Sequence, residues 1–402
     1  MLKKNPLIII IATFFSFVGN GMHFIAISWL VYDITENPLY VSVLVALSVI
    51  PGIFTSFFAG TISDKFNRKK IMLYMDIFRG IIVFILFTIN YFSKVEIWHL
   101  FIATILITAA SNFFFPALKG ILKEAIPEDD FLRVVTANST ALQMGTILGA
   151  GLSGFLISIY SPYTVFFIDA LTFFLSAILI SFIQLQRDTL SIMGKENERI
   201  DFIKDFKIGI HYLISKKTLM FLYLMGFLPK VIFDVINSLL SDYTVKDLDL
   251  GAKEYGLLDA TFALGSVLIG IYVVTFIKKD KVENIIYNYS FLGIGLSLFI
   301  IGFSLNFYMS LVGLFLLGVT TMFEAVSRRT LIMKNIDKDL IGRVESFYWI
   351  IISTLTPLFA VFSGYFAKYI GTSNILSVLG MLSIILFLTA FKGGKKNFLK
   401  LE

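Results

Sequence analysis

Twelve stretches of about twenty mostly apolar residues follow one another along this chain, at 7–32, 40–62, 72–92, 97–117, 138–159, 163–183, 218–241, 254–277, 285–304, 308–327, 345–367 and 373–391. A helix needs roughly twenty such residues to cross the hydrocarbon of a bilayer, and it satisfies its own backbone hydrogen bonds on the way. The pattern predicts an all-α membrane protein of twelve transmembrane helices. Composition leads to the same solvent: 57% of the 402 residues are apolar and 15% charged, where soluble domains carry about 25% charged. The 43 Phe, in runs such as Phe113-Phe114-Phe115, suit side chains that face lipid. The first apolar run follows Met1-Leu2-Lys3-Lys4 and reaches Tyr32 without a small-residue cleavage site, so it reads as a span and not as a leader.

Charge sets the orientation. Short loops rich in Lys and Arg stay cytoplasmic. The segments that share a side with the N-terminus hold 28 of these residues, whereas the opposite loops hold only Lys94, Lys246, Lys253 and Lys368. Both termini are therefore expected in the cytoplasm of a cell that carries this protein in its inner or plasma membrane. Trp29 and Trp98 near outer ends and Trp349 near an inner end fit the preference of indole for the headgroup level. The longest connection, 184–217, contains a charge-rich amphipathic segment over 201–217. It predicts a cytoplasmic surface helix joining two pseudo-symmetric bundles of six helices, 1–183 and 218–402.

Several classes of function are disfavoured. A net charge of +6 is spread between apolar stretches instead of being gathered on one solvated face, which suits lipid headgroups better than nucleic acid. With no Cys, and with His23, His99 and His211 far apart, neither a metal site nor an enzyme's nucleophile is assembled. No soluble domain is present to hold a cofactor, and a monomer is expected.

Between the second and third stretches stands Gly60-Thr61-Ile62-Ser63-Asp64-Lys65-Phe66-Asn67-Arg68-Lys69-Lys70. This resembles the signature loop of the major facilitator superfamily, G-x-x-x-D-R-x-G-R-R, with Lys65 replacing Arg and Asn67 replacing Gly. Lys keeps the cation, and Asn tolerates a left-handed backbone as Gly does. Further stretches resemble the macrolide-efflux and siderophore-exporter branch: Phe114-Phe115-Pro116-Ala117-Leu118, Phe167-Ile168-Asp169-Ala170-Leu171, Asp205-Phe206-Lys207-Ile208-Gly209, and Leu340-Ile341-Gly342-Arg343-Val344. The resemblance implies two six-helix bundles that export a small amphipathic molecule by alternating access, with proton antiport. It also implies a cytoplasmic gate. Gly60 would let two spans approach closely, Asp64 would lie against the start of the eleventh span near Gly342 and Arg343, and Arg68 and Lys69 would join a charge cluster with Asp76 beside Arg79. The fifth span carries Gly145, Gly149, Gly151 and Gly154 but Ala150 where the family's antiporters often place Pro, a pattern that suits an export motif or plain close packing.

Charges inside a bilayer cost about 2.5–3.5 kcal/mol each on insertion scales, so they mark cavities or partners. Five ionisable groups fall at similar depth in the outer half: His23, Asp169, Lys230, Asp234 and Asp259. Asn20 sits one turn from His23 as a polar cavity candidate. Lys230 and Asp234 are spaced i, i+4 and can neutralise each other, a purely structural couplet being the alternative to a transport role. Pro229 beside them predicts a kink. The carboxylate expected to carry the proton is Asp234 first and Asp169 second. Glu324, one turn from Arg328, predicts a snorkelling ion pair near an inner helix end. Translocation of a lipid or lysolipid by the same fold is the nearest alternative, and a receptor or scaffold the remote one.

Overall fold

A computed structural model describes residues 4–184, 202–276, 279–337 and 340–393. Every regular element among them is a helix. Helix α1 runs Lys4–Thr35, α2 Pro38–Leu47, α3 Ile50–Lys65, α4 Arg68–Phe92, α5 Ile97–Ala125, α6 Glu128–Ile159 and α7 Pro162–Ser181. After residues that lie outside the description come α8 Phe202–Ser215, α9 Lys217–Met225, α10 Phe227–Asp242 and a π-turn at Tyr243–Asp247. The chain then forms α11 Ala252–Phe276, α12 Lys279–Gly302, α13 Phe307–Asn335, α14 Ile341–Ile370 and α15 Thr372–Gly393. Among the described residues, eleven helical segments are long and apolar enough to span a membrane, and Tyr289–Gly302 is a shorter apolar segment. Large apolar side chains on these helices stay exposed, among them Phe54, Phe58, Phe92 and Phe362. That surface belongs in lipid, and the chain is a multi-pass membrane protein.

Two of the expected spans are broken helices. The second is split at Ser48–Val49 into α2 and α3, with Pro51 in the first turn of α3. Pro lacks the N–H that a continuous helix would use there and its ring crowds the preceding turn. The seventh is split at Gly226 into α9 and α10, three residues before Pro229. The same chemistry explains the break.

The chain divides into two compact units. One holds Met1–Glu36, Leu44–Asn197 and Gly251–Leu257, and the other Asn37–Val43, Glu198–Leu250 and Leu258–Glu402. In the first unit α1 packs on α6 and α7, while α4 packs on α5 and α7. Its core gathers Ile9, Phe17, Met72, Phe114, Ile121 and Ile180. The α1–α6 contact is close because the glycines of α6 meet backbone directly. A Cβ at Gly149 would fall inside the contact distance of Val18 O, and one at Gly145 would stand 2.6 Å from Phe14 O. These glycines serve close packing between helices. In the second unit α12 packs on α13 and α15, α10 on α14, and the connecting helix α8 on α14.

Candidate functional site

The two units hold their polar side chains in different ways. In the first, a cluster lies deep between α1, α4, α5 and α7. Arg79 of α4 is 1% exposed and pairs with Asp76, one turn back and 0% exposed. The guanidinium also donates to Ser16 Oγ at 3.2 Å, Ser111 Oγ at 3.4 Å and Asn20 Oδ1 at 3.5 Å. Its flat faces rest on the rings of Phe114 and Phe173, 4.6 and 4.7 Å from their centroids. Ser176 Oγ donates to Asp76 at 2.6 Å and Ser16 Oγ at 3.3 Å. A planar cation that bonds in its plane and stacks on both faces is the form of positive charge best suited to an apolar interior.

One turn further along α1 stands His23. Its Nδ1 lies 3.2 Å from Oδ2 of Asp169 on α7, out of line for a hydrogen bond. Neither imidazole nitrogen and neither carboxylate oxygen has a hydrogen-bond partner among the described residues. Asp169 is sealed at 0% exposure while the His23 side chain keeps 10%. Gly19 makes the approach of α7 possible, because a Cβ there would stand 2.7 Å from Asp169 Oδ1.

These placements correct part of the expected gate. Asp76 and Arg79 belong to the buried cluster and do not meet the signature loop. Arg68 pairs instead with Glu124 of α5 and donates from Nε to Ser63 O at 3.1 Å. Lys69 Nζ donates to Ser181 O and Ile183 O, both at 2.7 Å, capping the carbonyl end of α7. Asp76 lies eight residues into α4, about 12 Å along the axis from Arg68, which is too deep for either cation. Asn67 does not adopt a left-handed backbone: at φ −62° it N-caps α4, its side chain accepting from Lys70 N. Gly60 makes no close approach among the described residues, where a Cβ would meet nothing within 4 Å. Asn20 accepts from Arg79 Nη1 at 3.5 Å. Lys65 is exposed. The side chains of Asp64, Gly342 and Arg343 lie outside the described residues.

In the second unit the polar groups line a cavity of about 350 Å³ bounded by α10, α11, α13 and α14. Gly226, at the break between α9 and α10, lies on its wall. A Cβ on Gly226 would stand 2.5 Å from Arg328 Cζ and 2.6 Å from the Tyr348 hydroxyl, so the missing side chain is what lets Arg328 lie across the broken helix. Arg328 Nε donates to Glu324 Oε1 at 2.8 Å, and Nη1 reaches Tyr348 OH at 3.4 Å. Glu324 is fully buried, so the pair is an interior one and does not snorkel. Tyr223 donates to Glu345 at 3.1 Å and stacks near Tyr348. Lys230 pairs with Asp234, whose other oxygen accepts from Thr356 Oγ1 at 2.6 Å. Asp234 is 3% exposed and Lys230 29%, with the ammonium 5.0 Å from the Phe233 ring. Phe233, Phe262, Met322, Tyr348 and Trp349 supply the apolar wall.

Asp259 of α11 is half-buried, with no hydrogen bond or ion pair among the described residues. It shares a helical face with Phe262 and Ser266, which line the cavity, three and seven residues further on. Of the residues singled out from sequence, the structure thus joins His23 to Asp169, Asn20 to Arg79 and Lys230 to Asp234. The Arg328–Glu324–Tyr348 and Tyr223–Glu345 bonds were missed as a site. The i, i+4 spacing of Glu324 and Arg328 was visible, but only the helix break shows that they face a cavity.

The Major Facilitator Superfamily description matches residues 9–360 of this chain. The chain is 30% identical to an uncharacterised MFS-type transporter of Bacillus subtilis, YfiS, over 213 residues; the match spans 52% of this chain and 49% of that protein, about half its length. It is 21% identical to macrolide efflux protein A of Streptococcus pyogenes, covering 92% of this chain and 91% of the relative. It is 20% identical to the staphyloferrin A transporter of Staphylococcus aureus, covering 97% and 96%. Among solved structures, that of the nucleoside transporter NupG superposes with a TM-score of 0.78 at 12% identity, covering 97% of this chain and 100% of that one. A helical membrane fold of this architecture, matched along most of its length, makes the chain a member of the major facilitator superfamily of transporters.

Proposed function

We propose that the protein exports small amphipathic molecules of the macrolide or siderophore type across the cell membrane, by alternating access and in exchange for protons, with both termini in the cytoplasm. The observation that carries this reading is the cavity at the Gly226 break. Its volume lies within the about 300–1,000 Å³ usual for small-molecule sites. Aromatic and thioether side chains take an apolar body by loose contacts, as promiscuous sites do. Lys230 and Arg328, set among these rings, donate to the oxygens of a lactone, hydroxyl or carboxylate. Because each cation already has a buried acid beside it, a substrate competes for the donors without having to supply the compensating charge. Such competition loosens the bonds that hold α10 to α13 and α14, which is how occupancy of the cavity would favour a conformational change.

The relatives support export without fixing the cargo: the two full-length ones carry chemically unlike molecules. The test is movement of radiolabelled erythromycin into everted vesicles under an imposed pH gradient. Accumulation that collapses on adding a protonophore, and that falls at least about tenfold in Arg328→Met, is the expected result. Accumulation that ignores the protonophore, together with flipping of a fluorescent lysolipid by the same vesicles, would overturn it in favour of lipid translocation.

A further inference from the structure

The two units differ in the parity of their buried charge. In the second, the cavity cations are matched: Lys230 with Asp234 and Arg328 with Glu324. In the first, Arg79 is matched by Asp76, which leaves Asp169 with no cation unless His23 carries one. A carboxylate that is 0% exposed in a membrane interior is not tolerated as an isolated anion. The cluster is neutral only when one proton is present, on the imidazole or on the carboxyl.

We propose that His23 and Asp169 form a one-proton site that couples export to the proton gradient. The proposal deepens the antiport reading above and rests on it for its place in the cycle. Three observations of geometry support it. The facing atoms are 3.2 Å apart, so a turn of the ring that brings the N–H into line lets a proton leave Nδ1 as the N–H bond breaks and form an O–H bond on Oδ2, the imidazole becoming neutral as the carboxylate does. All four heteroatoms of the pair lack hydrogen-bond partners among the described residues, so nothing else fixes the proton on one side. His23 alone of the two keeps accessible surface, on its carbon edge, since both ring nitrogens are buried, so the imidazole is the member that must turn to exchange its proton and the carboxyl is the store.

The neighbours isolate the site. From α4 come only the self-neutral Asp76 and Arg79. Helix α5 carries no charged or histidine residue between His99 and Lys119, and α6 none after Arg133. On α7 itself Tyr163 lies more than one turn away, and on α1 the next acid, Asp33, is ten residues on and exposed. No second acid is at hand to take over the proton.

The test begins without any substrate. Purified full-length protein in lipid is titrated while the carboxylic-acid C=O band is followed by infrared difference spectroscopy. The expected result is a band lost as pH rises that is absent from Asp169→Asn. In His23→Gln the band persists, but its isotope shift in D₂O is slowed by about a hundredfold, the low end of what a positioned proton-transfer group contributes. Should Asp169→Asn not fold, the slowed exchange in His23→Gln decides alone. An unchanged band in Asp169→Asn, or unslowed exchange in His23→Gln, would overturn the proposal. The vesicle arm then separates the two readings. If the parent protein accumulates erythromycin on the gradient, Asp169→Asn loses accumulation above the outside concentration while keeping erythromycin–erythromycin counterflow; retained accumulation would refute the coupling role. If the parent shows no gradient-driven movement, the antiport reading fails while the infrared result still stands or falls by itself.

Discussion

The first unit stores charge in a dry, close-packed interior, and the second displays it on the wall of a cavity. Both obey one rule, that a bilayer admits an ionised side chain only beside its opposite, and they obey it with different residues for physical reasons. Arg79 has lost nearly all contact with solvent, so Asp76, the oxygens of Ser16, Ser111 and Asn20 around its two Nη atoms, and two aromatic rings together hold it. Lys230 keeps its ammonium partly accessible, so one carboxylate suffices and the flexible stem remains able to reach a ligand. On the reading proposed above, the first unit holds the proton, at His23 and Asp169, and the second binds the molecule. The contrast yields five single variants to measure, taken from the largest expected effect to the smallest.

Arg79→Met removes the cation but keeps an unbranched side chain between Phe114 and Phe173, leaving Asp76 buried without its partner. Breaking a fully buried pair costs about 3–5 kcal/mol, seen as the lowest melting temperature of the set in detergent. Asp76→Asn combined with Arg79→Met should recover most of that loss. A single variant as stable as the parent would show that the cluster is wet and would dissolve the distinction between the units.

Gly149→Ala attacks the packing that keeps the first unit dry. Its Cβ would press on the Val18 carbonyl, which is backbone and cannot rotate away. A cost of about 1–3 kcal/mol is expected in the same unfolding measurement.

Lys230→Met in the second unit should cost less than Arg79→Met, about 1–3 kcal/mol, because the buried Asp234 loses its cation but keeps the Thr356 bond. Its larger effect falls on erythromycin uptake. Asp234→Asn completes the contrast: its vesicles should still respond to the pH gradient, because the proton is held in the other unit. Loss of gradient response in Asp234→Asn, with Asp169→Asn unaffected, would exchange the roles of the two clusters.

The difference between the units also explains what could be read from the residues alone. The number, order and apolar character of the helices follow from hydropathy, because the bilayer imposes the same length on each span. The pairing of Lys230 with Asp234 was legible since both lie on one helix at i, i+4. Partners on separate helices were not legible: nothing in the spacing of Ser16, Ser111 and Ser176 says that they converge on Asp76 and Arg79. Depth misled as well. Asp76 follows the signature loop closely in sequence, yet a helix carries it inward by about 1.5 Å per residue, out of reach of Arg68 and Lys69. The role of Gly226 needed the structure, because a glycine that ends a helix and one that makes room for a guanidinium are the same letter.

Gly60 provides the smallest effect and the sharpest control. The two glycines that matter in the units described above are filled spaces: Gly149 is covered by α1 and Gly226 by Arg328. Among the described residues Gly60 has nothing within 4 Å of where a Cβ would be, and it lies inside α3, where Ala is favoured over Gly by about 0.5–1 kcal/mol. Gly60→Ala should therefore leave the melting temperature unchanged or slightly raised. If erythromycin transport is equally unaffected, the glycine of the signature loop has no packing duty in this chain. If transport falls while stability does not, the close approach expected of Gly60 belongs to another state of the cycle, since a methyl group that costs nothing in one conformation can act only by meeting something in a second.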